Sequence, residues 1–213
     1  MFITLEGIEG SGKTTQLKPI EAFFTRRGLK TVVTREPGGT AVGEKIRAVL
    51  LNPDIEKMAP LTELFLYEAD RIEHLEKTIR PALAAGKIVV CDRFCDATVV
   101  YQGYGRGLDL EMIGRLHRMI LGGLTPDLTI VFDLPPEIGL ERAWKQVRGG
   151  SRSGKEMRFE KEKLAFHRSI RDGYLTIARL EPERFAVVDA GADANAVSDA
   201  VIALLEQFID RDR

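Results

Sequence analysis

Five short apolar runs punctuate the chain at wide intervals: Phe2-Ile3-Thr4-Leu5-Glu6, Thr31-Val32-Val33-Thr34, Ile88-Val89-Val90-Cys91, Leu128-Thr129-Ile130-Val131-Phe132 and Phe185-Ala186-Val187-Val188. They do not alternate with polar positions, which is the pattern of strands covered on both faces in a parallel sheet. Helical stretches separate them. Lys13 to Arg27 stops at Gly28, Leu61 to Ala85 at Gly86 and Leu110 to Leu121 at Gly122, and each glycine can adopt the left-handed turn that closes a helix. The repeating β-α order predicts right-handed crossovers and an α/β fold: a doubly wound, five-stranded parallel sheet with helices on both faces.

Ligands of such a sheet bind beyond the C-terminal ends of its strands. That rule directs attention to Gly7 onward, to Arg35-Glu36-Pro37-Gly38-Gly39-Thr40, to Asp92-Arg93-Phe94 and to Asp133. With no repeat, low-complexity tract or linker, residues 1–213 read as a single domain. One segment breaks the pattern. Between Arg142 and Arg158 stand Arg142, Lys145, Arg148, Arg152, Lys155 and Arg158 against Glu156 alone, with Gly149, Gly150 and Gly154 among them. A solvated basic loop is the plain account of 142–158; beside a phosphate site, a short mobile lid is the expectation.

The first of these sites is a phosphate-binding loop. Gly7-Ile8-Glu9-Gly10-Ser11-Gly12-Lys13-Thr14 satisfies every fixed position of G-x-x-x-x-G-K-[ST], between a strand and a helix. Backbone N–H groups of such a loop point at a polyphosphate, Lys13 reaches its terminal phosphates, and the Thr14 hydroxyl can hold Mg²⁺. Asp92, at a strand end, is placed to order that metal directly or through water, with Asp133 a competitor; Arg93 beside it favours Asp92. Pro37-Gly38-Gly39 would fix the direction of Arg35, and a cis Glu36–Pro37 bond is expected. Tyr67 and Arg71, four apart on one helix face, could hold a planar base, or they could simply pack. Thr98 to Gly107 could line a pocket or turn a corner. His74, His117 and His167 read as surface or packing residues.

Composition narrows the field. Lys and Arg total 31 against 32 Asp and Glu, so the net charge of −1 offers no global field for nucleic acid or an anionic membrane. Cys91 and Cys95 have no metal-site company and read as reduced fillers. With neither a leader nor a membrane-length apolar run, a cytoplasmic location is expected.

Taken together, the phosphate loop with Glu9 inside it, Thr34-Arg35-Glu36-Pro37-Gly38-Gly39-Thr40, Ala69-Asp70-Arg71, Asp92-Arg93-Phe94, Tyr101-Gln102-Gly103 and Thr125-Pro126-Asp127-Leu128 resemble the thymidylate kinase family. The resemblance covers nearly the whole chain. It implies a P-loop NTPase-type fold, transfer of phosphate from ATP to dTMP, Mg²⁺ as cofactor and a homodimer. It also implies the bacterial type, whose catalytic arginine lies in the lid. Arg148, Arg152 and Arg158 are the candidates, and Arg158-Phe159-Glu160 looks like the family's lid-closing sequence.

On this resemblance Lys13, Arg93, Glu9 and Arg158 are the expected catalytic residues. Gly7 through Thr15 (Gly7, Ile8, Glu9, Gly10, Ser11, Gly12, Lys13, Thr14, Thr15) and Arg148 would bind ATP. Thr14 and Asp92 would hold the metal. Glu9, Arg35, Pro37, Tyr67, Arg71, Arg93, Thr98, Tyr101 and Gln102 would bind dTMP: Arg35 and Arg93 at its phosphate, Arg71 at thymine, Glu9 near the sugar 3′-hydroxyl, Tyr101 against a 2′-hydroxyl. Three positions depart from the family's habit: Tyr67 for phenylalanine, Ala97 for serine and Met157 for aspartate. Two rivals stand beside this reading. A kinase of the same architecture could act on another small acceptor, and a guanine-nucleotide switch lacks its Asn-Lys-x-Asp segment here.

Overall fold

The computed structural model describes residues 1–55, 57–150 and 154–211. Its five strands, β1 (Phe2–Glu6), β2 (Thr31–Arg35), β3 (Ile88–Asp92), β4 (Leu128–Asp133) and β5 (Phe185–Asp189), form one sheet in the order β2-β3-β1-β4-β5, with every neighbouring pair parallel. This is the doubly wound sheet that the apolar runs predict. The crossover helices are α1 (Lys13–Arg26), α2 (Ala41–Leu50), α3 (Pro60–His74), α4 (Arg80–Ala84), α5 (Cys95–Thr98), α6 (Leu110–Leu121), α7 (Pro136–Arg148), α8 (Leu164–Leu180) and α9 (Ala194–Arg211).

Alternate residues of β1 feed two apolar clusters, because successive side chains of a strand point to opposite faces. Ile3 and Leu5 join Phe23 and Phe24 of α1 and Leu205 of α9. Phe2 joins Val89 and Cys91 of β3 with Leu75 and Ile79 from the other side. The inner strands β1, β3 and β4 are buried almost throughout, as consecutive apolar residues require. The edge strands differ: β2 is half-buried and β5 exposes Val187, because an edge has a neighbour on one side only.

Four strands run one residue further than their apolar runs, and the extra residue is charged each time: Arg35, Asp92, Asp133 and Asp189. The ladder therefore carries these side chains to its last rung, where Arg35 stands opposite Asp92. Glu36 and Arg93, one residue beyond, are still fastened by backbone bonds to Asp92 and Leu5.

The rod expected from Leu61 to Ala85 is present but not uniform. Between α3 and α4 the turn Leu75–Ile79 widens to π geometry just before Pro81, whose ring lacks an N–H and would clash with the carbonyl four residues back. A second π turn, Val99–Gly105, continues α5, so the Thr98–Gly107 segment is helical rather than a simple corner. α6 ends at Gly122 with φ 57, as its sequence predicts. Within 142–158, Arg142 to Arg148 form the end of α7, where cations favour the helix dipole, and Gly154–Glu156 form a short 3₁₀ turn. Arg152 lies outside the described residues.

Candidate active site

The phosphate loop leaves β1 through a buried carboxylate, Glu6, and closes into α1. Gly7, Gly10 and Gly12 all have positive φ, at 138°, 70° and 88°. At Gly10 a side chain is excluded twice over, since its Cβ would also sit 2.0 Å from the Gly139 carbonyl oxygen of α7. The Lys13 ammonium folds back on the loop, donating to the Gly7 and Ile8 carbonyls at 2.9 Å and to Ser11 Oγ at 3.1 Å. Burial and the nearby Arg93 push Lys13 down to about 8, against the pull of Asp92, Glu9 and Glu6.

The Thr14 hydroxyl donates to Asp92 Oδ2 at 2.9 Å. Two hard oxygen donors thus converge at the mouth of the loop, which suits Mg²⁺, a cation usually held by one or two protein oxygens plus phosphates and water. The competitor Asp133 is instead occupied by Arg171 in a two-point pair at 2.7 and 2.8 Å. Among the described residues no cluster of three metal-ligating side chains exists.

Arg93 is the one non-glycine with positive φ among the described residues, at 70°. Such a backbone persists only where its surroundings over-determine it, and they do. Its guanidinium meets Glu9 Oε1 and the Tyr174 hydroxyl at 3.1 Å each, and lies 4.8 Å above the Tyr101 ring. Tyr101 donates to Glu9 Oε1 at 2.6 Å, and His167 Nδ1 stands 3.3 Å from Glu9 Oε2. Burial opposes ionisation of Glu9, but His167, Arg93 and Tyr101 together hold it well below the usual carboxylate range. Beneath Arg93, Glu6 accepts from the Phe94 amide at 2.8 Å and the Tyr174 hydroxyl at 2.6 Å. Burial raises Glu6 to about 7 despite Arg93.

A cleft of about 1010 Å³ opens beside these groups, lined by the loop, Arg35, Pro37, Tyr67, Arg71, Asp92, Arg93, Thr98, Tyr101 and Gln102. A second hollow of about 560 Å³ also borders the loop and is lined by Arg142, Lys145 and Gln146 of α7 and by residues of the turn after β5, among them Ala190 and Ala194. Both are lined by Gly10, Ser11, Gly12 and Thr15. Gly7 and Ile8 lie under the loop, offering carbonyls to Lys13 rather than surface to either cavity.

At the far end of the larger cleft, Arg71 is buried and held by Glu36 at 3.0 Å, Glu68 at 2.6 Å, Thr98 Oγ1 at 2.9 Å and the Phe94 carbonyl at 3.3 Å. The Glu36–Pro37 bond is cis, as expected. Arg35 pairs with Glu44 at 2.7 Å and stays exposed. The two described arginines of the expected lid line neither cavity. Arg148 is exposed at the end of α7 and lines neither cavity, while Arg158 is buried against Glu63 Oε2 at 2.7 Å and the Leu50 carbonyl.

Several site residues escape a reading of the sequence. Arg47 lines the cleft and bridges the Pro37 carbonyl, at 2.9 Å, to both oxygens of Glu156 in the Gly154–Glu156 turn, at 3.0 and 2.8 Å. The histidines are buried, each against a carboxylate: His74 on Glu36, His117 on Glu68 and His167 on Glu9. Of the two expectations, surface or packing, burial takes the second, with each ring set beside an ionisable partner. His167 and Tyr174 share the apolar stripe of α8 with Ile170 and Ile177, so two polar side chains on an apolar face were the available signal.

A sequence model described as thymidylate kinase matches residues 5–201. The thymidylate kinase of Desulfosudis oleivorans is 56% identical over 213 residues, covering 100% of both chains. That of Geotalea daltonii is 50% identical over 208 residues, covering 96% of this chain and 97% of the relative. Among solved structures, a crystal structure of thymidylate kinase from Ehrlichia chaffeensis superposes with a TM-score of 0.75 at 35% identity, covering 96% of this chain and 98% of that one.

Proposed function

The chain belongs to the thymidylate kinase family of enzymes, and on that premise we propose that it transfers the γ-phosphoryl group of ATP to dTMP, yielding dTDP and ADP. The observation that supports this most directly is the pair of cavities that meet at one phosphate loop: two nucleotides bound in them would bring their phosphates together at Lys13 and Arg93. The larger cleft takes dTMP, its phosphate toward Arg35 and Arg93, its base between Tyr67 and Arg71, its sugar beside Glu9 and Tyr101. The smaller hollow takes the nucleoside of ATP.

The acceptor phosphate has a second pKa of about 6, so it is already largely a dianion at neutral pH and needs no general base. Catalysis is then alignment and charge neutralisation. Lys13 offsets charge on the transferred group, and Arg93, held rigidly by Glu9, Tyr174 and Tyr101, offsets charge on the acceptor. Thr14 and Asp92 are the residues that would hold Mg²⁺, which when bound would neutralise part of the triphosphate charge. A lid arginine completes the set; Arg158 is proposed from its motif position, and that role requires it to leave Glu63 as the lid, residues 142–158 of a single 1–213 domain, closes. Water exclusion by that closure limits wasteful hydrolysis.

The active form is proposed as a homodimer. Leu61, Phe65 and Ile72 form an exposed apolar stripe along α3, and Val42 and Val49 are exposed on the neighbouring α2. Cys91 and Cys95 are buried free thiols, consistent with a reducing cytoplasm. Among the described residues no helix is long and apolar enough to cross a membrane. The assay that tests the proposal is coupled ADP release with ATP-Mg²⁺ against dTMP, dUMP, dCMP, dGMP, dAMP and UMP. Turnover with dTMP well above the other acceptors is expected, and equal or better turnover with a purine nucleotide would overturn the assignment.

A further inference from the structure

Glu63, on the first turn of α3, is fully buried and figures above only as the resting partner of Arg158. Its carboxylate gathers three side chains from two other segments. Gln102 Nε2 donates to Oε1 at 2.8 Å; Arg106 grips both oxygens, Nε to Oε1 at 3.1 Å and Nη2 to Oε2 at 3.2 Å; Arg158 Nη1 meets Oε2 at 2.7 Å. Burial alone would favour the neutral acid, but the two arginines and the Gln102 amide outweigh it, and the group is held below its ordinary range. If lid closure withdraws Arg158, the two-point grip of Arg106 remains. Glu63 is thus an acceptor and cannot donate.

That restriction has a chemical consequence at Gln102, which lines the acceptor cleft. A side-chain amide has one donating and one accepting end, and which end points where is decided by its partners. With the NH₂ end turned to Glu63, which engages one of its two N–H groups, the opposite end of the amide, the carbonyl oxygen, is the one left to face a ligand. We propose that Glu63 is a positioning residue for base specificity: it locks the Gln102 amide so that the cleft offers an acceptor to the edge of the bound base. A pyrimidine whose ring nitrogen carries hydrogen, as in thymine or uracil, satisfies that acceptor. Cytosine presents a lone pair there and is repelled. The inference rests on the acceptor being a pyrimidine monophosphate, as proposed above.

The test is steady-state kcat/KM of the full-length enzyme for dTMP, dUMP and dCMP, in wild type, Glu63→Gln, Gln102→Leu and the double variant. Glutamine at 63 can donate as well as accept, so the amide at 102 loses its fixed sense. The dTMP:dCMP ratio should fall at least about tenfold in each single variant, because a site built around a hydrogen bond discriminates through it. It should fall no further in the double variant, and the dTMP:dUMP ratio, which shares the same base edge, should not move. General structural damage would lower all three acceptors together. An unchanged dTMP:dCMP ratio in Glu63→Gln, or losses that multiply in the double variant, would overturn the proposal. Should Glu63→Gln fail to fold, Gln102→Leu, which leaves both arginines their carboxylate, decides the matter by the same tenfold criterion. A wild type that does not phosphorylate dTMP would instead remove the functional assignment, a distinguishable failure.

Discussion

The Thr14 hydroxyl and the Asp92 carboxylate, 78 residues apart in sequence, are hydrogen-bonded at 2.9 Å. One belongs to the first turn of α1 and the other to the last rung of β3. Their meeting is the product of β1 and β3 being neighbours in register, with Leu5 opposite Asp92. The same adjacency sets Arg93 over the phosphate loop, and the predictions below probe what that placement does.

Lys13→Ala and Arg93→Ala should each lower turnover by about 10³–10⁵, the usual cost of losing a cation that offsets transition-state charge in phosphoryl transfer. Coupled ADP release at saturating substrates measures this, with circular dichroism to show that each variant is folded. Turnover within tenfold of wild type would remove that residue from the mechanism.

Binding of the triphosphate should become linked to proton uptake as pH rises past about 8, where Lys13 loses its proton in the ligand-free protein. A bound polyanion favours the charged ammonium, so near pH 9 close to one proton should be taken up per ATP, and at pH 7.5 much less. Calorimetric titrations in buffers of different ionisation enthalpy report the number directly. Equal uptake at both pH values would contradict this account of Lys13.

Glu6→Gln should change the pH profile of stability. The carboxyl has an ordinary value of 4.5 and rises to about 7 in the fold. Between those values the unfolded chain has lost the proton that the native state keeps, so the contribution of Glu6 to stability declines as pH rises through the window and levels off above it. Glutamine has no such proton. The stability of Glu6→Gln relative to wild type should therefore grow by on the order of 3 kcal/mol between pH 4.5 and 7, at about 1.4 kcal/mol per unit. Urea denaturation across that range would show it, and a constant difference would refute it.

Glu68→Ala should destabilise the protein by about 3–5 kcal/mol, since it leaves a buried guanidinium short of its partner. Arg71 would keep Glu36 but lose its 2.6 Å contact, and His117 would lose its carboxylate at 3.2 Å. Because Arg71 also borders the cleft, the KM for dTMP should rise more than kcat falls. A loss of less than about 1 kcal/mol with an unchanged KM would show that Glu36 alone holds Arg71.

The residues readable in advance are those whose function imposes a local backbone demand. Gly10 is needed where φ is positive and Gly139 crowds the chain, and Pro37 with its glycines shapes a tight turn after β2. Such demands leave fixed spacings, so the loop, the Arg35 segment and the Asp92-Arg93 pair stand out. The residues that were not readable act through partners far away. Glu6 and Tyr174 are 168 positions apart, Glu9 of the phosphate loop meets His167 of α8, and Glu63 of α3 finds Arg158 in a distant turn. None of these pairings leaves a spacing, although the polar His167 and Tyr174 on the apolar face of α8 are themselves visible.

By itself the sequence determined the α/β alternation, the five strands, the phosphate loop and the family to which they belong, because apolar runs, glycine placement and short motifs are local properties of a chain. Only the tertiary structure decided that Asp92 rather than Asp133 stands beside Thr14, that the histidines are buried on carboxylates, and that Arg158 lies against Glu63. Those outcomes depend on which strands become neighbours and which charges must be paired once water is excluded, and a buried charge takes whichever partner the fold brings within reach.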